Sequence, residues 1–128
     1  MESRTRELHR LLTELNRRGG FSAAVLTDSQ GLPIASASGA GVRPEAQAAV
    51  VALVQRTARQ VGDRLGMAAA DEIALFDEEG RRLVCRPFAV GERRMILGVL
   101  VPDRRLPHRR LTSQALRSAA SILKSERE

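Results

Sequence analysis

Tyrosine and tryptophan are absent from this 128-residue chain, and phenylalanine occurs only as Phe21, Phe76 and Phe88. Proteins that read single-stranded nucleic acid stack bases on aromatic rings, so nucleic acid is not expected as a partner. Cysteine is reduced to Cys85. One cysteine makes no intrachain disulfide and no thiolate metal cluster, which suits a reducing, cytoplasmic setting. Cys85 follows Leu83 and Val84 in an apolar run and reads as a buried, inert thiol. His9 and His108 belong to no His-x-x-x-His or Cys-x-x-Cys spacing, and both read as solvated surface residues. There is no Gly-Lys pair for a phosphate loop, and Gly39 and Gly41 run into Pro44 rather than into a dinucleotide fingerprint. No stretch approaches the ~18 apolar residues of a membrane span. Met1 to Arg10 is charged, without the apolar core of a signal peptide. No catalytic residue, no cofactor and no metal are expected.

Arginine is what the chain has in excess. The net charge is +6, and Lys124 is the only lysine. Charge is also unevenly distributed. Residues 71–80 hold five acids and no base, whereas residues 81–110 hold nine arginines against Glu92 and Asp103. Arg81-Arg82 and Arg93-Arg94 fall in neighbouring strands of a hairpin and read as one basic patch with a solvated face. Asp71-Glu72 and Asp77-Glu78-Glu79 bracket one strand, where they serve turns and edge solubility. Their crowding by other charges argues against a catalytic pair, which needs one carboxyl in an apolar pocket.

Along the chain, Leu8, Leu11, Leu12 and Leu15 give residues 3–18 the spacing of an amphipathic helix, ended by Gly19-Gly20. Residues 21–27 and 32–37 are apolar runs separated by Asp28-Ser29-Gln30-Gly31, which predicts a β-hairpin with Gly31 at positive φ. The Ser38-Gly39-Ala40-Gly41 loop leads to a long helix. Residues 72–77, 81–88 and 94–101 follow as strands, with Asp77-Glu78-Glu79-Gly80 and Val90-Gly91-Glu92 as turns. Met95, Leu97 and Val99 lie on one face of the last strand and Ile96, Gly98 and Leu100 on the other. A strand apolar on both faces sits centrally and is covered on both sides. Residues 108–125 read as a closing helix. No linker or repeat divides the chain, so it reads as one domain over residues 1–128.

The long helix spans Pro44 to Leu65, with Pro44 and Glu45 suited to its first turn and Gly66 to its end. Ala46, Val50, Leu53, Val54, Thr57, Ala58, Val61 and Leu65 form a broad apolar arc, expected to face the core. Ala48, Ala49, Ala52 and Gly62 lie on the other side among Gln55, Arg56, Arg59 and Asp63. Small residues let a second helix come close, so this side is expected to meet another copy or a partner. Alanine is also simply a good helix former, and that explanation stays open.

The hairpin from Ala23 through Asp28-Ser29-Gln30-Gly31 to Ser36, the Ala- and Val-rich long helix, and the closing apolar strand with Gly98 resemble the roadblock superfamily of dynein-light-chain-like domains, which includes bacterial MglB proteins. The likeness covers residues 3–124. It implies an α/β (α+β) fold of order α-β-β-α-β-β-β-α, with a five-stranded antiparallel sheet of order 2-1-5-4-3 between one long helix and two terminal helices. It implies a dimer in which long helices pack and third strands join. On this sequence those interface positions are Ala48, Ala52, Gln55, Arg59, Gly62, Ile73 and Leu75. It further implies a cytoplasmic, non-enzymatic regulator or adaptor of a small Ras-like GTPase, with Arg56, Arg59 and Asp63 on the docking face. Three alternatives remain. One is a structural scaffold, as homodimer or heterodimer half, without a GTPase. Another is an anionic-surface or nucleic-acid binder using Arg81, Arg82, Arg93, Arg94, Arg104, Arg105, Arg109 and Arg110. The third is a small-molecule sensor, for which the small-residue core suggests no pocket.

Overall fold

A computed structural model describes residues 2–39 and 41–125, so Met1, Ala40 of the loop before the long helix, and residues 126–128 lie outside the described set. The elements are α1 (Glu2–Gly19), β1 (Ala23–Asp28), β2 (Pro33–Ser38), α2 (Pro44–Leu65), β3 (Ile73–Phe76), β4 (Arg82–Val90), β5 (Arg93–Val101) and α3 (Arg109–Lys124). All strand pairs are antiparallel, in the order β2-β1-β5-β4-β3. This is the expected element order and sheet.

Two turns are built by the same local chemistry. Asp28 Oδ1 accepts hydrogen bonds from the backbone N–H of Gln30 (2.8 Å) and Leu32 (3.0 Å). Asp77 Oδ1 accepts from the N–H of Glu79 and Arg81, both at 2.9 Å. Each Asp-x-x-Gly closes with the glycine N–H donating to the aspartate carbonyl. An aspartate that holds its own turn in this way specifies a hairpin locally, before any tertiary contact forms.

The strands alternate between two cores. Ala24, Leu26, Val84, Met95, Leu97, Val99 and Val101 pack under α1 and α3, which contribute Leu8, Leu12, Leu15, Ala115, Ala119 and Leu123. Val25, Cys85 and Ile96 point the other way, to Ala48 and Val51 of α2. β5 is therefore central and covered on both faces, as its composition requires.

The orientation of α2 reverses the expectation. Its buried residues are Ala48, Val51, Ala52 and Gln55, so the side rich in small residues lies on the sheet. Most of the apolar arc that was expected to face the core points outward: Val50, Leu53, Val61 and Leu65 are 44 % to 70 % exposed, while Val54 packs against the core on this side. Backbone proximity is the cause. A Cβ on Gly98 would stand 2.6 Å from Val51 Cγ2, and one on Gly31 2.9 Å from Ala52 Cβ. The helix lies so close to β5 and to the hairpin tip that only small side chains fit around Val51. Ala48, Ala52 and Gln55 are thus internal contacts of a single chain, not positions for a partner.

Gly31 has φ 91°. Gly31→Val adds both a strained backbone and a clash with Ala52, and should lower stability by about 1–3 kcal/mol. Ala52→Arg should likewise lower the melting temperature of the chain itself, because it forces a long cation between helix and sheet. Thermal denaturation of both variants checks this; an unchanged midpoint for either would place α2 further from the sheet.

Candidate functional site

Burial along α2 stops at Gln55, and none of residues 56–65 is buried. Length explains this. Twenty-two residues make a helix of about 33 Å, while five strands span about 19 Å between the outer strand axes. The helix begins over the β1–β2 side, where Ala48 and Ala52 meet the hairpin tip, and its second half reaches the β3 side with little sheet beneath it.

That second half forms one wall of an open apolar groove of about 540 Å³. Leu53, Val54, Thr57, Ala58, Val61 and Gly62 line it from the helix, and Ile73, Ala74 and Leu75 from β3. Met67, Ala68 and Ala70 of the connecting loop close one end, with Glu72 beside them. Met67, Leu75 and Phe76 each expose more than 60 % of their surface. The small-residue core therefore does leave a trough, although it is an open surface trough. Contiguous exposed apolar surface beside an unpaired strand edge is a candidate docking surface.

The two edges of the sheet are treated differently. At β2, α1 lies alongside: His9 Nδ1 donates to the Ser36 carbonyl (2.8 Å) and Asn16 Nδ2 to the Ala37 carbonyl (2.9 Å). Pro33 opens the strand without an N–H to offer. At the other side β3 has β4 as its only strand neighbour among the described residues. One edge is covered and the other is open.

The open edge is anchored by a polar cluster that sequence spacing did not reveal. Both Nε and one terminal nitrogen of Arg82 donate to His108 Nδ1, at 3.2 and 2.9 Å. That nitrogen is then the acceptor, and Nε2–H of His108 donates to Glu72 Oε2 at 3.1 Å. Arg82 also donates to the carbonyls of Leu106 and Asp103. Arg109 donates to Glu72 Oε1 (3.0 Å) and to Asp71. Arg86, buried, donates to Thr112 Oγ1 at 2.7 Å and Ser113 Oγ at 3.2 Å, with its Nε 3.8 Å from Glu72. His108 is thus a structural link between β4, α3 and the start of β3, not a solvated residue. Asp71 and Glu72 likewise do more than solubilise an edge. His9 is exposed, as expected, but hydrogen-bonded.

Of the arginines grouped as a basic patch, Arg82 and Arg109 join this cluster. Arg82 is buried, Arg109 is paired as above, Arg81 is paired with Asp77 and Glu79, and Arg105 lies 3.6 Å from Asp103. Arg94, Arg104 and Arg110 are exposed and Arg93 half-buried. Cys85 is fully buried, and burial pushes its thiol up to about 12, far from a reactive thiolate. Among the described residues no cluster of His, Cys, Asp and Glu has the makings of a metal site, and no helix is long and apolar enough to cross a membrane.

Of the residues singled out from sequence, Gly62, Ile73 and Leu75 line the groove and Arg56, Arg59 and Asp63 are exposed on the second half of α2. Leu53, Val61, Met67 and Phe76 were missed as surface residues. The signal for the first two was present, as an apolar arc on a helix whose other side is small enough to lie against a glycine-bearing strand.

Burial alone would raise the Glu72 carboxyl, but the hydrogen bonds from His108 and Arg109 and the charge of Arg109 outweigh it and hold the group below its ordinary value. The stability it contributes is present above the unfolded value of about 4.3 and is lost as pH falls through the lower folded value. Glu72→Gln should therefore destabilise the protein by about 1–3 kcal/mol near neutral pH, and the gap to the unmodified chain should close below about pH 4. Chemical denaturation at a series of pH values checks the sign; a gap independent of pH would mean that the carboxylate charge is not what matters.

No protein-family model matches the chain, and no curated protein does. Solved structures do. A structure described as MglB with tetrameric arrangement superposes with a TM-score of 0.77 at 20% identity, covering 95% of this chain and 91% of that one. Myxococcus xanthus MglB gives 0.71 at 17% identity, over 94% and 87%. A roadblock/LC7 domain from Streptomyces avermitilis gives 0.65 at 21% identity, over 93% of both chains. At these identities the likeness is one of fold, and it covers nearly the whole chain: this protein has the roadblock fold, in the form that MglB takes.

Proposed function

We propose that this chain is a protein-interaction module that self-associates through β3 and the α2 groove and acts as a regulator or adaptor of a small Ras-like GTPase, without catalytic activity of its own. The observation that carries the self-association is the coincidence of an open strand edge with an apolar groove beside it, while the opposite edge is covered by α1. Two identical edges that pair antiparallel are related by a two-fold axis perpendicular to the sheet. Both α2 helices then stand on one face. The exposed apolar arc of each, with Leu53, Val61 and Leu65, gains cover from the other, and Gly62, Ile73 and Leu75 lie at the seam. The acids that follow β3, Asp77 to Glu79, limit how far pairing extends.

The likeness to MglB structures supports the second half of the proposal. In this reading a GTPase docks on the paired α2 helices, where Arg56, Arg59 and Asp63 are exposed. Ala48, Ala52 and Gln55, expected at the dimer interface, are buried on the sheet side of α2 and take no part in this pairing. A binding role also fits the fate of the polar side chains: His108, Glu72, Arg82 and Arg86 are engaged with one another and with α3.

Light scattering should give twice the chain mass of 14.0 kDa. Leu75→Arg and Val61→Arg, both at exposed positions, should return the protein to a single-chain mass with little change in melting temperature. A single-chain mass for the unmodified protein would overturn the self-association. Mixed with a small Ras-like GTPase loaded with a GTP analogue, the dimer should shift in size; Arg59→Glu should weaken that shift about tenfold or more. Equal binding of the GDP form would remove the regulatory part.

A further inference from the structure

The net charge of the chain lies in one layer. α1 and α3 together carry nine arginine and lysine residues against three acids, a balance of +6 that equals the net charge of the whole chain. α2, on the opposite face, has Arg56, Arg59 and Arg64 against Glu45 and Asp63. Within the layer, Arg17 is tied to Glu14 and Arg109 to Asp71 and Glu72. Arg10, Arg18, Arg110, Arg117 and Lys124 are exposed.

The layer has a shape as well as a sign. α1 and α3 lie side by side over the same sheet face, about 27 and 24 Å long. Their leucine and alanine stripes are turned to the core, and none of the large exposed hydrophobic residues belongs to either helix. Neither helix carries an aromatic residue. A groove of about 350 Å³ between the two helices is lined by Leu11 and Leu111 beside Glu14, Arg18 and Arg117, but the layer carries no large, strongly exposed aliphatic side chain and no rings for bases. What it offers is a plane of guanidinium groups.

We propose that the α1–α3 layer is the surface by which this protein rests on an anionic lipid bilayer. A bilayer is the partner that a plane of cations fits: arginines close to an anionic surface each add to the attraction, and the attraction fades within a screening length. Antiparallel pairing at β3, on which this second step rests, places the α1–α3 layers of both copies on the same side of the joined sheet. The charge facing one plane is then doubled, and the α2 face points away from the membrane.

Co-sedimentation with phosphatidylcholine vesicles, with and without phosphatidylserine, tests the proposal. The protein should sediment with the anionic vesicles only, and the bound fraction should fall steeply as salt rises. The triple variant Arg10→Glu, Arg117→Glu, Lys124→Glu should lose about tenfold or more in affinity, whereas Arg43→Glu, Arg64→Glu, Arg94→Glu, with the same change of net charge elsewhere, should stay within about threefold. Equal losses in both triples would overturn the assignment to this layer. Binding to duplex DNA but not to vesicles would overturn the lipid. Circular dichroism confirms that the variants are folded. Light scattering on the same preparations separates this inference from the proposed dimer. A single-chain protein that still binds anionic vesicles refutes the pairing and supports the layer, while a dimer that ignores them refutes the layer alone.

Discussion

The close approach of α2 to β5 at Gly98 sets the rest of the structure. Val51 sits where any side chain on Gly98 would be, and the residues around Val51 on that stripe are Ala48 and Ala52. A helix seated this deeply has little to bury on its sheet side. The core there is small, formed by Val25, Ala48, Val51, Cys85 and Ile96, whereas the opposite face holds the leucine stripes of α1 and α3. The division has an energetic consequence. At about 25 cal/mol per Å² of apolar surface removed from water, most of the stabilising burial lies under α1 and α3. The α2 side leaves its large aliphatic residues Val50, Leu53, Val61 and Leu65 exposed.

The order of elements was legible because its determinants are local. Two Asp-x-x-Gly turns carry their own hydrogen bonds, and Gly66 follows the last helical residue of α2 in a left-handed cap. β5 is apolar on both faces, which places it centrally whatever its neighbours are. The facing of α2 was not legible from periodicity, because a helical period separates two faces without saying which one meets the sheet. Hydrophobicity favours the arc of Val50, Leu53 and Val61, whereas the small residues, which permit close approach, meet the sheet rather than a second helix. The clue lay 47 residues from Val51, in a glycine at the middle of a strand otherwise filled by aliphatic residues. Such a glycine marks a place where another backbone element comes near, and only the small side of α2 is able to do so.

The polar cluster at the β3 end was hidden for a different reason. Glu72, Arg82 and His108 are far apart in sequence, and each taken alone resembles a surface residue. Charge counting grouped the arginines of residues 81–110 by sign, yet antiparallel pairing sets Arg82 opposite Phe76 and Val101 and brings it to the loop before α3. There it meets three acceptors, which allows a guanidinium to be buried. Arg86 is the less satisfied neighbour: its Nε lacks a hydrogen bond and has Glu72 only at 3.8 Å. The carboxylate is therefore the hub that joins buried Arg86 to His108 and Arg109, at the first residue before the open strand.

The placement of that hub links the stability of the single chain to its open edge. β3 is only four residues long and has one strand neighbour, and a strand so short holds few backbone hydrogen bonds of its own. Its N-terminal end is fixed by Glu72 through His108 and Arg109 of the opposite layer, and its C-terminal end by the Asp77 turn. An edge held at both ends stays extended and in register without a partner, which lowers the ordering cost of pairing with one. The same fixation draws on α3 from the far side of the sheet and leaves the groove face free of polar side chains other than Glu72 and Thr57. Under the proposed pairing, β3 and the groove are covered while the cationic outer surface of α1 and α3 remains open, so the two surfaces can be occupied at the same time.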